Sequence, residues 1–229
     1  IKKSKNHQPA TTEKNYLELL EKHGGIFIGD TKQKELYLTF DNGYENGYTS
    51  QILDILKQKK IPAAFFVTGH YLKDQPDLVK RMVNEGHIVG NHSWSHPNMT
   101  EISDHQLKKE LDKVKNLYTI ITGEKEMHYV RAPRGVFSER TLALSYQNGY
   151  INVFWSLAYK DWDIHDQKGW KYAYDKIMEQ VHPGAIMLIH TVSKDNAEAL
   201  NKVLDDLLKK GYTFKSIDDL LVKKKILDI

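Results

Sequence analysis

The chain has 229 residues, of which 40% are hydrophobic, so it can bury one sizeable core, and one domain is favoured over two. Its formal net charge of +3 is distributed over many Lys/Glu pairs, which is typical of a solvated surface and argues against a nucleic-acid partner. The absence of cysteine excludes thiol catalysis, cysteine-ligated zinc and disulfides. No run approaches the roughly 18 apolar residues of a membrane span.

Short apolar runs alternate with amphipathic segments after a polar arm at residues 1–14. Strands are predicted for the apolar runs at 26–29, 36–40, 63–69, 87–92, 129–133, 151–156, 185–190 and 212–217. Helices are predicted at 48–60, 77–86, 103–123, 138–149, 168–181 and 196–211. Strands separated by helices of this length indicate a parallel sheet, and about seven βα units favour a closed or nearly closed barrel.

Chemically able side chains follow several of the predicted strands. They are Asp41, His92, Arg131, Asp161 and His190. Active sites of parallel α/β barrels form at the carboxyl ends of the strands, so these groups are expected to lie together. The competing interpretation is that strands end in turns, and turns are polar in any protein.

The stretch HSWSH places His92 and His96 four residues apart. On a helical turn both imidazoles would face one way and bind one zinc-like ion, although 11 histidines produce such a pair easily by chance. A third protein ligand is expected, and either Asp41 or Asn42 is able to supply it. An amide ligand at Asn42 would leave the metal with its full charge but bind it more weakly.

His190 is a candidate general acid, with Asp161 as the carboxylate that holds up its pKa. The alternative is a hydrogen-bonded core histidine. Arg131 would keep Asp41 ionised, while Trp162 and Leu188 would form an apolar wall for a small acyl group. These parts describe hydrolysis of an amide or ester without a covalent intermediate, since the sequence has neither G-x-S-x-G nor HExxH.

The segments TFDNG, HSWSH, RAPRG, SLAYKDW and MLIH resemble, in order and spacing, the five motifs of the polysaccharide deacetylases, the NodB-homology carbohydrate esterases. The resemblance covers about residues 34–220. It implies a distorted (β/α) barrel of about seven parallel strands, and a divalent metal, with zinc as the expected ion. It also implies an enzyme that hydrolyses acetyl groups from N-acetylated sugars.

The resemblance also implies a role for each matching residue. Asp41 would be the base that activates water, His190 the acid for the departing amine, Arg131 and Asp161 their partners, His92 and His96 metal ligands, and Trp162 and Leu188 the acetyl pocket. The backbone N–H of Arg134 is a candidate oxyanion donor. Two positions depart from the family pattern. Asn42 replaces an aspartate that is the third metal ligand, and Ala158 replaces an earlier aspartate of the fourth motif.

Within the family, the chain is similar to the muramic-δ-lactam-forming peptidoglycan deacetylases of spore-forming bacteria. Their substrate is N-acetylmuramic acid in cortex glycan, and the Arg134 guanidinium suits its lactyl carboxylate. Tyr44 is assigned to substrate contact. The expected partner is a peptidoglycan glycan strand, the expected oligomeric state a monomer. The alternatives are a deacetylase of N-acetylglucosamine or chitooligosaccharides, and a non-catalytic glycan-binding protein.

Residues 1–25 are predicted to form an arm and a first helix, and residues 26–229 a single catalytic domain. The chain opens on Ile1, and its first residues lack the apolar core of a signal peptide. An extracytoplasmic location, in the cell envelope or forespore cortex, is therefore expected from the substrate rather than from a leader.

Overall fold

Nine α-helices, one 3₁₀ turn and seven β-strands form the part of the chain that the computed structural model describes, residues 2–3 and 6–227, with side chains through residue 224. The strands are β1 (Glu35–Asn42), β2 (Ala63–Val67), β3 (Ile88–Asn91), β4 (Tyr129–Val130), β5 (Ile151–Asn152), β6 (Ile186–His190) and β7 (Thr213–Phe214). The helices are α1 (Lys14–Lys22), α2 (Thr49–Lys59), α3 (Gly69–Asp74), α4 (Pro76–Asn84), α5 (Asp104–Thr122), α6 (Glu139–Gln147), α7 (Trp170–Gln180), α8 (Lys194–Lys209) and α9 (Ile217–Leu227). The 3₁₀ turn spans Pro133–Gly135.

The strands form one parallel sheet in the order β5-β4-β3-β2-β1-β6, and β7 pairs with the start of β1. All eight residues of β1 are buried, because the strand lies between β2 and β6 and helices cover the sheet. Its register sets Asp41 opposite Phe66 on β2 and opposite His190 on β6. The sheet therefore carries two of the predicted site residues to one edge.

The two ends of the sheet are joined by single bridges. After β5 the chain continues past Val153, which pairs with Ile26, and Leu157 then pairs with Met187 of β6. The predicted α/β class and parallel barrel of about seven strands are thus confirmed. The strand predicted at 26–29 is wrong, because that segment makes only the isolated bridge at Ile26 and an antiparallel one at Ile28.

Each of the six predicted helices is present, with its bounds shifted by one or two residues. The strand predicted through residue 69 stops at Val67, because Thr68 caps α3 by accepting a hydrogen bond from the Tyr71 backbone N–H. The strand predicted through residue 217 is likewise shorter, since the Ser216 hydroxyl accepts from the Asp219 N–H at the start of α9. Helix capping therefore ends both strands earlier than the hydrophobic pattern predicted.

Helix α1 packs on α6 and on the loop before it. The rings of Tyr16 and Phe137 meet edge to face with centroids 5.5 Å apart, and Leu20 belongs to the main apolar core. The arm before it is fastened by a hydrogen bond of 2.8 Å between His7 and the Val181 carbonyl. The boundary at residue 25 stays a prediction. Among the described residues, no helix is both long and apolar enough to cross a membrane.

Candidate active site

Asp41 lies at the carboxyl end of β1, almost fully buried, and makes an ion pair with Arg131. Its Oδ1 accepts from the Arg131 Nη1 at 2.8 Å. Burial alone would raise the pKa of Asp41, but the charge and hydrogen bond of Arg131, together with the charge of His190, outweigh it and hold that pKa below its usual value. Asp41 is therefore a carboxylate near neutral pH.

Arg131 is completely buried, and each of its three guanidinium nitrogens donates at least one hydrogen bond. Its Nε donates to the Val153 carbonyl at 2.8 Å, and its Nη2 to the Thr39 hydroxyl at 2.9 Å and the Phe154 carbonyl at 3.2 Å. The guanidinium carbon stands 4.2 Å from the ring centroid of Phe66. A buried charge is tolerated when it is paired and fully hydrogen-bonded, so this cage makes Arg131 a fixed support for Asp41.

His92 and His96 come together, but not on a helix. The HSWSH segment is a loop in which Ser93 (φ 66°) and His96 (φ 57°) take left-handed backbone conformations, which an α-helix forbids. The predicted helical turn is therefore wrong. The two rings nonetheless lie with centroids 4.9 Å apart, because Glu110 of α5 accepts hydrogen bonds from both the N–H and the hydroxyl of Ser95 and fixes the loop.

Both imidazoles are set to remain neutral. The Nδ1 of His92 donates to the Arg131 carbonyl at 2.8 Å, which leaves its Nε2 unprotonated and 3.5 Å from the Asp41 Oδ2. Burial lowers the pKa of His92, and burial, as the largest cause, lowers the pKa of His96 to about 4. Neutral imidazoles with a free ring nitrogen are the form in which histidine binds a divalent metal.

Asn42 is fully buried beside Asp41. Its Nδ2 donates to the Thr191 hydroxyl at 2.8 Å, while its Oδ1 has no hydrogen-bond partner among the described residues. An unpaired buried amide oxygen is costly, and a metal ion would satisfy it. The described residues contain no group of three His, Cys, Asp or Glu arranged to hold a metal. By donor type, two neutral imidazoles and an amide oxygen suit a divalent cation.

His190 and Asp161 form a second ion pair. The His190 Nδ1 and backbone N–H donate to the two oxygens of Asp161 at 2.7 and 2.8 Å. Burial would lower the pKa of His190, but the charge and hydrogen bond of Asp161 outweigh it, and the net pKa is raised. The imidazole is therefore held ready to carry a proton, and its side chain is 22% exposed.

The four residues predicted to contact substrate lie in different surroundings. Arg134 is exposed, has a left-handed backbone (φ 59°), and its charge contributes to the lowered pKa of His96. Leu188 is buried within β6, next to Thr39 of β1. Trp162 and Tyr44 are 55% and 41% exposed, and the ammonium of Lys160 lies 5.5 Å from the centroid of the Trp162 ring.

Several supporting residues were missed by sequence reasoning. They are Thr39 under Arg131, Glu110 under the HSWSH loop, Thr191 beside Asn42, and Tyr159 and Asn196 beside Asp161. Thr191 follows directly on His190, so its position at a strand end was a usable signal. Glu110 and Asn196 lie inside helices that read as ordinary amphipathic segments, and no local pattern marks them.

A family model described as polysaccharide deacetylase matches residues 28–153, which is more than half of the chain. The fold, the two ion pairs of the site and the match to the family model all agree. The chain belongs to the polysaccharide deacetylase family. The predicted enzyme class, a deacetylase of the carbohydrate esterases, is thereby confirmed.

Comparison with similar proteins indicates which branch of the deacetylase family the chain resembles. The chain is 55% identical over 226 residues to the peptidoglycan-N-acetylmuramic acid deacetylase PdaA of Bacillus subtilis (strain 168), covering 99% of this chain and 86% of that one. The structure of B. subtilis PdaA, a family 4 carbohydrate esterase, matches with a TM-score of 0.95 over 97% of this chain and 95% of that one. An uncharacterized 30.6 kDa protein of Geobacillus stearothermophilus is 62% identical over 224 residues, covering 98% and 84%. The predicted likeness to the muramic acid branch is confirmed.

Proposed function

We propose that this protein removes the acetyl group from N-acetylmuramic acid in peptidoglycan glycan strands by hydrolysis. The observation that carries the proposal is the pair of Asp41 and His190, which face each other across β1 and β6. Their pKa values are shifted in opposite directions, down for the carboxyl and up for the imidazole. A base and an acid at one site are what hydrolysis of an amide requires.

Each proton has a carrier in this scheme. The Asp41 carboxylate takes a proton from the attacking water as the water oxygen bonds to the acetyl carbon. His190 then gives its proton to the sugar nitrogen as the C–N bond breaks, and acetate and a free amine leave. Arg131 keeps Asp41 ionised and oriented, and Asp161 keeps His190 protonated at the start of the cycle. The N–H of Arg134 is a candidate donor to the developing oxyanion.

We assign His92, His96 and the Oδ1 of Asn42 as the residues that would hold a divalent metal, with zinc as the proposed ion. When bound, such an ion acts as a Lewis acid that polarises the acetyl carbonyl. The unpaired Asn42 oxygen and the neutral imidazoles support this assignment. A neutral amide ligand cancels none of the ion's charge, so it trades affinity for stronger polarisation.

Muramic acid is the proposed sugar because it differs from glucosamine by a lactyl carboxylate. The exposed guanidinium of Arg134, beside the histidine pair, is suited to bind that carboxylate. The likeness to PdaA supports the same substrate. Trp162 and Tyr44 would contact the sugar, and Leu188 the acetyl group. Peptidoglycan lies outside the cytoplasmic membrane, so we infer an extracytoplasmic enzyme of the envelope or spore cortex, acting in sporulation as a monomer.

The test is acetate release from peptide-stripped peptidoglycan, compared with release from chitooligosaccharides. We expect release from the muramic glycan, and we expect His190→Ala to lower it about 10²–10⁴-fold because the amine would leave unprotonated. His105→Ala, on the exposed face of α5, is the control and should leave the rate unchanged. Equal turnover of chitooligosaccharides would contradict the muramic assignment. Glycan binding without acetate release would show a non-catalytic protein.

A further inference from the structure

The carboxylate of Asp161 receives a third hydrogen bond beyond those from His190. The donor is the Nδ2 of Asn196, in the first turn of α8, at 2.6 Å from the Asp161 Oδ2. The same amide nitrogen also reaches the His190 carbonyl at 3.2 Å. Asp161 and Asn196 are both buried, at 3% and 1% exposure, so solvent does not compete for these bonds.

The amide of Asn196 has only one workable orientation. Its NH₂ group faces two acceptors, the Asp161 carboxylate and the His190 carbonyl, and a flipped amide would set its oxygen against both. The Oδ1 on the other side accepts from the Tyr159 hydroxyl. Tyr159 lies two residues before Asp161, in the loop after β5. A chain of hydrogen bonds therefore runs from Tyr159 through Asn196 and Asp161 to the His190 ring.

The backbone contributes to this arrangement as well. The Ser193 hydroxyl accepts from the Asn196 N–H at 3.1 Å and caps α8, which fixes where the amide emerges. Ala158, at the position of the family's earlier aspartate, offers no polar side chain. The groups that orient Asp161 in this chain come instead from the neighbouring Tyr159 and from α8.

We propose that Asn196 is a positioning residue for the general acid, with Tyr159 as its anchor. By holding one oxygen of Asp161, Asn196 keeps the other in line with the His190 Nδ1, and the imidazole keeps its Nε2 directed at the departing nitrogen. This role rests on the proposed function, because it matters only if His190 donates a proton. Asn196 itself touches neither water nor sugar in this scheme, so its loss should affect turnover and not substrate binding.

The experiment compares Asn196→Ala and Tyr159→Phe with the wild type in acetate release and in NMR. We expect kcat to fall about tenfold in Asn196→Ala, the effect of one lost hydrogen bond to a charged group, with KM nearly unchanged. Tyr159→Phe should lower kcat in the same sense by a smaller factor. In the wild type, the downfield NMR resonance of the His190 Nδ1 proton should be visible, and Asn196→Ala should weaken or move it.

Asn46→Ala is the matched control. Asn46 is exposed near the same edge of the sheet, and its amide donates to the Val192 carbonyl at 2.9 Å rather than to Asp161. It should change neither kcat nor the resonance. An unchanged resonance and kcat in Asn196→Ala, or a rise in KM alone, would overturn the proposal. If Asn196→Ala does not fold, the kcat and the NMR resonance of Tyr159→Phe test the proposal in its place. A wild type that shows the resonance but releases no acetate would contradict the proposed function, and the resonance in Asn196→Ala would still report whether Asn196 orients the pair of Asp161 and His190.

Discussion

The candidate site contains two ion pairs with opposite roles. Asp41 and Arg131 are both buried, and the arginine side chain is 0% exposed within a cage of backbone carbonyls. Asp161 is equally buried, but its partner His190 reaches the surface with 22% of its side chain exposed. The first pair fixes a negative charge, and the second keeps a proton available on a group that substrate is able to reach.

The difference follows from the chemistry of the two cations. A guanidinium does not lose its proton, so Arg131 stabilises the Asp41 carboxylate at every pH at which the protein is folded. An imidazole titrates near neutral pH, so the Asp161 charge raises its pKa and makes it a proton donor. One strand pairing, β1 with β6, brings the resulting base and acid together.

The largest predicted effect comes from removing Arg131, which breaks the ion pair of Asp41 and Arg131. Arg131→Leu leaves Asp41 as a buried carboxylate without its cation, and we expect the free energy of unfolding to fall by about 3–5 kcal/mol, with loss of activity. Urea denaturation measures the change. Arg134→Leu removes an exposed guanidinium and should cost less than about 0.5 kcal/mol. Equal losses in the two variants would contradict the account of a caged, structural charge.

Removing the charge of Asp161 should change the pH dependence of the activity, because His190 then loses the carboxylate that raises its pKa. His190 with a raised pKa is protonated at low pH, so activity is lost as pH rises through that pKa. In Asp161→Asn the effect of burial on His190 is no longer outweighed by the charge of Asp161, so the pKa of the imidazole falls and the loss should begin at lower pH. We expect kcat near neutral pH to fall about 100-fold.

The matched control for this prediction is Asp163→Asn, two residues along the same loop. Asp163 pairs with Lys160 at 3.3 Å and has no contact with His190 among those the structure describes. Its pH–rate profile should coincide with that of the wild type. A profile of Asp161→Asn that keeps the wild-type alkaline limb would show that His190 is not the acid.

The smallest predicted effect concerns Thr39, which supports the ion pair of Asp41 and Arg131. Thr39 accepts from the Arg131 Nη2 and donates to the Met187 carbonyl at 2.6 Å, so it ties the guanidinium to β6. Thr39→Val removes both bonds at nearly constant volume and should lower the free energy of unfolding by about 1–2 kcal/mol. Thr213→Val, at an exposed position of β7, is the control and should be nearly neutral. A loss as large as that of Arg131→Leu would mean that Thr39, and not the ion pair, organises this region.

Much of this arrangement was predictable because parallel sheets place strand ends together. Asp41 and His190 follow apolar runs, and the register that joins them is a consequence of β1 and β6 being neighbours. The HSWSH loop was predicted as a helical turn because spacing alone does not reveal the left-handed residues Ser93 and His96. The bond between Thr39 and Arg131 spans 92 positions of sequence, and no local pattern predicts it.

The most direct test of the account is acetate release from peptide-stripped peptidoglycan, measured on the protein as purified, after chelation, and after zinc is restored. We expect chelation to abolish release and zinc to restore it, because His92, His96 and the unpaired oxygen of Asn42 would hold the ion that polarises the acetyl carbonyl. Release that continues unchanged after complete removal of metal would contradict it. The two histidines would then serve the loop or the substrate instead.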